Sequence, residues 1–196
     1  MSTQPRTSQI ERVTKETSIH LELNLDGGPI AISTDVTFFN HMLDAFAKHA
    51  GCGLTLRASG DGLDHHHLVE DVGIALGRAI HSALGQKQGI TRFGSIMVPL
   101  DDALIAASID LSGRSYLNLN VIYPVENLGD LKTELIREFF RAIADNARMN
   151  IHLVQMHGTN AHHLCEATFK AFARAFAQAK YRINDSEIPS TKGLLE

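Results

Sequence analysis

The residues of this chain best suited to chemistry are two short clusters of histidine and glutamate. The first is His66-His67-Leu68-Val69-Glu70 and the second is His162-His163-Leu164-Cys165-Glu166, so two histidines and a glutamate recur at the same spacing. Matching alanines and arginines follow both clusters, which indicates an internal duplication of one structural unit. A single cluster of this kind near a helix start is usually a solvated surface feature. Its duplication favours a pair of metal sites.

Helical spacing divides each cluster into two parts. His66 and Glu70 are four residues apart, as are His162 and Glu166, so each pair lies on one helix face within reach of a single ion. The other histidine of each cluster projects about 100° away around the helix. If the two halves of the chain face one another, the simplest arrangement has two ions, each bound by His and Glu of one copy and by the second His of the other. These ligands suit Mn, Fe, Co, Ni or Zn, and the sequence does not choose among them.

The residues around the clusters indicate where the helices begin. Asp64 and Asn160 are predicted N-caps, which places the histidines in the first helical turn. The helix dipole disfavours imidazolium there and keeps the rings neutral and able to bind metal. Cys165 lies between Leu164 and Glu166, on what we interpret as the buried face of the helix, so it is predicted to be a core thiol and not a ligand.

Length and composition exclude several classes of protein. At 196 residues, the chain can bury a substantial core as one large domain or as two closely packed halves. The net charge of -4, without a long basic run, argues against nucleic-acid binding. No apolar run is long enough to span a bilayer, and residues 1–12 lack the apolar segment of a signal peptide, so we expect a cytoplasmic protein without membrane association. Cys52 and Cys165 could form at most one bridge, which excludes a disulfide framework.

The pattern of apolar residues predicts an α+β fold built from two halves of the order β-β-α-β-α. In the first half, residues 1–12 are polar and expected to be loose. The predicted elements that follow are strands 17–25 and 30–36 joined as a hairpin, a helix from Asn40 to Ala50, a strand over 54–58, and a helix from the first cluster to about Leu84. Asn40 is the predicted N-cap of its helix.

The second half repeats this order with one extra strand. Its predicted elements are strands 95–99, 103–111 and 117–123, a helix over 132–147, a strand over 150–156, and a helix from 161 to about 181. The predicted organisation is a half-repeat over 1–94, a second over 95–183, and a tail over 184–196 that closes over the active site. Two mixed or antiparallel sheets with helices on one face each would pack helix against helix, with both clusters at the seam. The Ala- and Phe-rich second long helix also predicts oligomer contacts.

Two further ligands are predicted from the shorter helices. His41 lies in the first turn of the helix that begins at Asn40, and the duplication brings Glu138 to the matching place in the second half. A His in one half and a carboxylate in the other would complete four protein ligands per ion. Glu138 could equally be a surface residue paired with Arg141 or Lys132.

Basic residues provide candidates for binding an anionic substrate. The chain contains no Walker motif, no dinucleotide fingerprint and no nucleophile elbow. Arg92 and Arg114 lie in glycine-containing loops and are the better candidates, because a guanidinium fork matches phosphate oxygens. Lys170, one turn beyond Glu166, and Lys192, in the tail, are further candidates.

Taken together, these residues give the chain a resemblance to the imidazoleglycerol-phosphate dehydratases, enzymes of histidine biosynthesis. The stretches that carry the resemblance are Thr14 to Thr17, Phe38 to Asp44, Asp64 to Asp71, Gly89 to Gly94, Pro99 to Leu104, Asp110 to Arg114, and Asn160 to Arg174. The resemblance covers nearly the whole chain and implies a monofunctional hydro-lyase of two duplicated α+β halves. It also implies trimers assembled into a 24-subunit shell, with two Mn²⁺ ions per active site at subunit interfaces.

The resemblance also implies a role for each matching residue. One ion would be bound by His66, Glu70, His163 and the Glu138 position, and the other by His162, Glu166, His67 and His41. The implied catalytic residues are Glu16, His41, His67, Glu166 and Lys170. The implied substrate- and phosphate-binding residues are Glu16, His49, Arg92, Arg114, Lys170, Ser190 and Lys192. Glu138 departs from the family pattern, since many members have His there, although a carboxylate is chemically competent.

The implied reaction removes water from imidazole glycerol phosphate and yields imidazole acetol phosphate. A metal on each ring nitrogen would favour an imidazolate that expels the neighbouring hydroxyl through a diazafulvene-like intermediate. Glu16, which the resemblance places at a neighbouring subunit's site, would shuttle protons. The alternatives are a two-metal hydrolase, in which the ions activate water, and a non-catalytic metal-storage protein.

Overall fold

A computed structural model describes residues 5–183, 187–191, 193 and 195 of the chain. The helices are α1 (Thr37–Ala50), α2 (His66–Leu84), α3 (Glu134–Ala147) and α4 (Ala161–Ala179). The strands are β1 (Thr7–Val13), β2 (Thr17–Asn24), β3 (Ile30–Ser33), β4 (Gly53–Gly60), β5 (Phe93–Leu100), β6 (Ala103–Asp110), β7 (Tyr116–Asn120), β8 (Asn127–Leu128), β9 (Leu131–Lys132) and β10 (Asn150–His157). Within these residues, no helix combines the length and the apolar character that crossing a bilayer requires.

The two halves of the chain have the same topology. Within the described residues, one four-stranded sheet has the order β1-β2-β4-β3 and another has the order β5-β6-β10-β7. In each sheet, the last two strands pair in parallel and the other neighbours are antiparallel. The predicted duplicated α+β fold is therefore confirmed. The repeated unit is β-β-β-α-β-α, one strand longer than predicted.

The additional strand of the first half is β1, in a segment predicted to be loose. It pairs antiparallel with β2, from Thr7 opposite Asn24 to Val13 opposite Ser18. Its inward residues, Ser8, Ile10 and Arg12, are only half buried, so β1 is a polar edge strand. Such a strand lacks the apolar alternation by which strands are recognised in a sequence.

The predicted hairpin of 17–25 and 30–36 is also wrong. Gly27 and Gly28 do form a turn at positive φ, as the local sequence indicates. The chain then continues beyond β2 without pairing with it. Strand β3 pairs in parallel with β4, at the edge of the sheet opposite β1. Turn residues report local geometry and cannot identify a strand's neighbour, which depends on residues distant in sequence. Because β7 is the counterpart of β3, the strand predicted as extra in the second half has an equivalent in the first.

The start of α1 differs from its prediction because the cap comes from the other half. The helix begins at Thr37 and not after Asn40. The carboxylate of Asp130, between β8 and β9, accepts hydrogen bonds from the backbone N–H groups of Thr37 and Phe38 at 2.6 and 2.9 Å. Asn40 instead accepts a hydrogen bond from the Thr34 backbone at 2.9 Å. The first-turn amides are thus satisfied across the duplication.

The two long helices begin close to where their sequences predict. Asn160 caps α4 by accepting hydrogen bonds from the backbone of His162 and His163, at 3.0 and 3.2 Å. Asp64 accepts from the backbone of His66 at 2.7 Å, one residue before the position that formally caps α2. Both clusters therefore lie in the first turn of a helix.

The helices of one half pack against those of the other. Helix α1 contacts α4 and α2 contacts α3, so the helices form the inside of the molecule and the sheets lie outside them. A cluster of seven buried phenylalanines fills the seam, namely Phe39, Phe46, Phe139, Phe140, Phe169, Phe172 and Phe176. The Cys165 thiol is fully buried and lies 3.8 Å from the Met42 sulfur, which confirms it as a core residue.

Gly94 allows β5 to lie directly against α4. A Cβ atom added at Gly94 would lie 1.9 Å from the carbonyl oxygen of Ala175, which is backbone and cannot rotate away. We expect Gly94→Ala to lower the free energy of unfolding by about 3 kcal/mol or more, because strand and helix must separate. Urea denaturation at fixed protein concentration measures this.

The control is Ser95→Ala, in the next position on the exposed side of β5. It removes one solvent-accessible hydrogen bond to Ser108 and should cost less than about 1 kcal/mol. Equal losses in the two variants would contradict the packing argument.

Candidate active site

Two predicted metal ligands face Glu166 at the adjoining ends of α1 and α4. The Nε2 atom of His162 lies 3.2 Å from Glu166 Oε2, and that of His41 lies 3.6 Å from the same oxygen. The Phe38 ring packs edge-on against both imidazoles, with centroids 5.4 and 6.4 Å away. Each histidine is about half exposed, at 51% and 54%, so solvent reaches the nitrogen atoms.

The chemistry and spacing of these donors fit a transition-metal ion. Donor atoms that each bind one ion at about 2.1 Å lie roughly 3 Å apart, close to the separations around Glu166. Imidazole nitrogen and carboxylate oxygen are ligands for Mn, Fe and Zn. The other carboxylate oxygen of Glu166, Oε1, forms an ion pair with Lys170 Nζ at 2.7 Å. Burial alone would raise the pKa of Glu166, but Lys170, His41 and His162 outweigh burial and lower it below its usual range.

The corresponding residues of the first cluster are arranged differently. His66 Nε2 lies 3.8 Å from Glu70 Oε2. Glu138, at the place in α3 that His41 occupies in α1, binds the Arg141 guanidinium at 2.5 Å, and Arg141 also reaches Glu70 at 3.2 Å. The pairing of Glu138 with Arg141 considered from the sequence is thus present, and Arg141 additionally bridges two predicted ligands. Glu138 as a metal ligand stays a prediction.

The second histidine of each cluster points away from these pairs. His67 Nδ1 lies 3.1 Å from Asp61 Oδ2 and 4.0 Å from Glu16 Oε2. His163 Nδ1 lies 2.7 Å from Asp102 Oδ1. The hydrogen bond to Asp61 also raises the pKa of His67, against the expectation that the helix dipole keeps this ring neutral.

The ligand sets expected from facing halves are therefore incomplete in one chain. Among the described residues, no group of three or more His, Cys, Asp or Glu side chains is arranged to hold a metal ion. The reason is the helical geometry, since the second histidine projects away from the face that carries the first histidine and the glutamate. The contacts of Asp61 with His67, of Asp102 with His163 and of Arg141 with Glu70 were not identified from the sequence. Two of them, Asp102 with His163 and Arg141 with Glu70, join segments distant in sequence.

The candidate phosphate residues lie around the described part of the tail. Arg92 binds Asp110 through Nε and Nη2 at 2.7 and 3.1 Å and donates Nη1 to the Pro189 carbonyl at 2.8 Å. Ser190 follows Pro189, so Arg92 and Ser190 share one neighbourhood. Arg114 is exposed in the loop before β7, whereas Lys192 lies outside the described residues.

A cavity of about 550 Å³ lies beside this region, along α1 and α4. Its lining includes His49, Thr91, Phe93, Arg174 and Tyr181. Burial lowers the pKa of His49, and the charges of Lys170 and Arg174 lower it further. Among the lining residues, Arg174 supplies the positive charge suited to an anion, and His49, which its lowered pKa keeps neutral, can form hydrogen bonds. Arg174 was not a candidate, although its recurrence with Arg78 was visible in the duplication.

The chain was compared with known proteins. The sequence model of a family described as imidazoleglycerol-phosphate dehydratase matches residues 34–176. The imidazoleglycerol-phosphate dehydratase of Lachnoclostridium phytofermentans is 51% identical, over 97% of this chain and 99% of its own length. That of Salinibacter ruber is 50% identical, over 97% of this chain and 96% of its own length.

Solved structures agree with the relatives. The crystal structure of imidazoleglycerol-phosphate dehydratase from Staphylococcus aureus matches at 38% identity and a TM-score of 0.83, covering 90% of this chain and 99% of that one. The Pyrococcus furiosus enzyme in complex with (S)-C348 matches at 38% identity and a TM-score of 0.84, covering 95% and 100%. Fold, site and relatives together define an enzyme of the hydro-lyase class. The chain belongs to the imidazoleglycerol-phosphate dehydratase family.

Lys87 is a buried cation that sequence analysis did not single out. Its side chain is 3% exposed, and Nζ donates a long hydrogen bond of 3.5 Å to the Arg148 carbonyl. Burial is the main cause that lowers the pKa of Lys87 to about 8, and it outweighs attraction to Asp110.

Replacing Lys87 with methionine should stabilise the protein at neutral pH. Below pH 8 the folded state holds a buried charge, whereas between about pH 8 and 10.5 the unfolded state binds more protons and wild-type stability rises with pH. The gain from Lys87→Met should therefore be largest at pH 7 and smaller at pH 9.5. Urea midpoints of both proteins at the two pH values measure it.

The control is Lys15→Met, which changes an exposed lysine. Its effect should be small and the same at both pH values. A Lys87→Met gain that does not shrink on raising the pH would contradict the assignment of a buried, charged lysine.

Proposed function

We propose that this chain dehydrates D-erythro-imidazole glycerol phosphate to imidazole acetol phosphate in histidine biosynthesis, with two Mn²⁺ ions per active site. The observation that carries the proposal is the pair of half-sites, His162 and His41 facing Glu166 and His66 facing Glu70, in a chain of this family. Two imidazole-and-carboxylate sites suit a substrate whose ring has two nitrogen atoms. Other divalent transition metals are compatible with the same donors.

The chain's basic residues would bind the phosphate of the substrate. The cavity contains Arg174, one helical turn beyond Lys170 on α4, and the Arg92 guanidinium stacks 4.5 Å over the ring of Phe93, which also lines the cavity. Arg114, Ser190 and Lys192 are proposed to contribute further contacts. The backbone bond from Gly89 to Glu187 and the bond from Arg92 to Pro189 support a tail, 184–196, that closes over this region.

In the proposed reaction, protons move at defined atoms. When bound, the two ions would act as Lewis acids on the imidazole nitrogens and favour loss of the ring N–H proton. The electrons of the resulting imidazolate expel the hydroxyl from the carbon attached to the ring and give a diazafulvene-like intermediate. Glu16 then accepts the proton of the next carbon, whose C–H electrons form the enol double bond while one electron pair returns to the ring. The departing hydroxyl takes up a proton and leaves as water, and the enol tautomerises to the ketone. Glu16 is 56% exposed at the β1–β2 turn, so its carboxylate is accessible to a substrate.

We also propose that active sites are shared between copies of the chain. His67 and His163 point away from the half-sites of their own chain and would complete those of neighbours. Trimers assembled into a 24-subunit shell would bring the copies together, and exposed apolar side chains such as Leu63, Met97 and Ile122 supply contact surface. The proposed setting is the cytoplasm, without nucleic-acid or membrane partners.

The direct test measures imidazole acetol phosphate formed by metal-depleted protein before and after Mn²⁺ is restored. Product is expected only with metal, and Mg²⁺ serves as a control because it prefers oxygen ligands. No product with fully loaded Mn²⁺ would overturn the proposed reaction and leave a two-metal hydrolase, to be sought with ester and amide substrates.

Glu16→Gln tests the proton transfer separately from metal binding. Losing the acid–base group should lower kcat about 10²- to 10⁴-fold and leave the bound Mn²⁺ unchanged. Glu11→Gln, at an exposed position of β1, is the control and should retain activity. Full activity in Glu16→Gln would remove this residue from the mechanism. Metal storage would be favoured if Mn²⁺-loaded wild type turned over neither imidazole glycerol phosphate nor the ester and amide substrates.

A further inference from the structure

The turn between β5 and β6 holds His163 by one particular ring nitrogen. Asp102 Oδ1 lies 2.7 Å from His163 Nδ1. The other oxygen, Oδ2, accepts hydrogen bonds from the backbone N–H groups of Thr159 and Asn160 at 2.7 and 3.0 Å. These two bonds fix the carboxylate plane, so that Oδ1 is the oxygen directed at the ring. The loop before α4 therefore holds the Asp102 carboxylate in place, and the carboxylate in turn orients the His163 ring.

The first cluster has the same arrangement, made from a different part of the half-repeat. Asp61, in the loop between β4 and α2, contacts His67 Nδ1 through Oδ2 at 3.1 Å. Its other oxygen accepts a hydrogen bond from the Leu63 backbone, also at 3.1 Å. Asp102 lies in a strand-to-strand turn, so the two carboxylates do not descend from one duplicated position. In both halves, nevertheless, a carboxylate held by backbone hydrogen bonds contacts Nδ1 of the second histidine.

The chemistry of this contact determines which nitrogen can bind metal. An ionised carboxylate only accepts hydrogen bonds, so Nδ1 must carry the hydrogen. In a neutral imidazole the other nitrogen, Nε2, then keeps its lone pair and becomes the metal donor. Because each ring is also held in orientation, its Nε2 is presented in a defined direction before any ion or neighbour arrives.

We infer that Asp102 and Asp61 are positioning residues, which set the tautomer and orientation of His163 and His67 so that each binds metal through Nε2. This inference rests on the proposed metal function. Neither aspartate is among the predicted ligands, and each acts only through its histidine.

Asp145 supplies a control of matched charge. It is an exposed aspartate in the last turn of α3, whereas the predicted ligand Glu138 lies near the start of that helix. Asp145→Asn removes one negative charge, as Asp102→Asn does, but leaves the surroundings of His163 unchanged. Asp101 is unsuitable as a control, because its carboxylate lies 3.3 Å from His163 Nε2, the spacing of two donors on one ion.

Asp102→Asn is designed to reverse the tautomer without removing the loop contacts. The amide oxygen can still accept from Thr159 and Asn160, which turns the NH₂ group toward His163 Nδ1. That nitrogen must then accept, and the hydrogen moves to Nε2, where it blocks the lone pair. We expect the apparent Kd for Mn²⁺, measured on metal-depleted protein by competition with a chelating indicator, to rise about 10- to 100-fold. Asp145→Asn should stay within about threefold of wild type.

A double-mutant cycle separates positioning from general destabilisation. In a His163→Ala background, Asp102→Asn should cause no further loss of Mn²⁺ affinity, because its effect passes through the missing ring. Equal affinity of Asp102→Asn and wild type, equal losses in Asp145→Asn and Asp102→Asn, or an additive loss in the double variant would each overturn the inference. Failure of the wild type to bind Mn²⁺ would instead reject the proposed metal function.

Discussion

The arrangement of the whole site depends on the burial of aromatic side chains between the two layers of helices. Phe39 and Phe46 of α1 meet Phe139 of α3 and Phe172 of α4 with ring centroids 5.0 to 5.5 Å apart. Fully burying a side chain of this size stabilises the fold by about 1.5–3 kcal/mol, so the cluster is a major part of the core. Helices α1, α3 and α4 carry both predicted ligands and these rings, so the seam sets where their first turns emerge at the surface. Helix α2 contains no phenylalanine and is positioned by its packing against α3. Metal-binding chemistry at the helix starts therefore rests on apolar packing further along the same helices.

The duplication supplies two similar half-sites, and a few substitutions make them different. His41 of α1 corresponds to Glu138 of α3, and Lys170, which pairs with Glu166, corresponds to Ile74 beyond Glu70. The half-site on α2 and α3 has Arg141 between its two carboxylates, whereas the half-site on α1 and α4 has a carboxylate facing two imidazoles. The two positions therefore differ in charge as well as in ligands.

The outward direction of the second histidines relates the active site to assembly. A side chain one position along a helix from a ligand lies about 100° away and cannot join it on the same ion. In the proposed shell, the same histidine would belong to a neighbour's site, so that subunit contact and catalytic competence arise together. Asp61 and Asp102 would prepare these rings in the isolated chain, which reduces what must be ordered at the moment of assembly.

The residue order alone was enough to predict the duplicated α+β fold, both long helices and the core position of Cys165, because these follow from periodicity and from spacing along a single element. It also identified the His and Glu pairs on α2 and α4, whose members are four residues apart on one helix. The β1 strand, the parallel pairing of β3 with β4, and the cap that Asp130 provides to α1 required the tertiary structure. Each depends on a partner distant in sequence or on an edge strand with weak apolar alternation. The same reason applies to the contacts of Asp102 with His163 and of Arg141 with Glu70, whose partners are distant in sequence. Asp61 is only six residues from His67, but the path of the loop between them is not visible in a residue pattern.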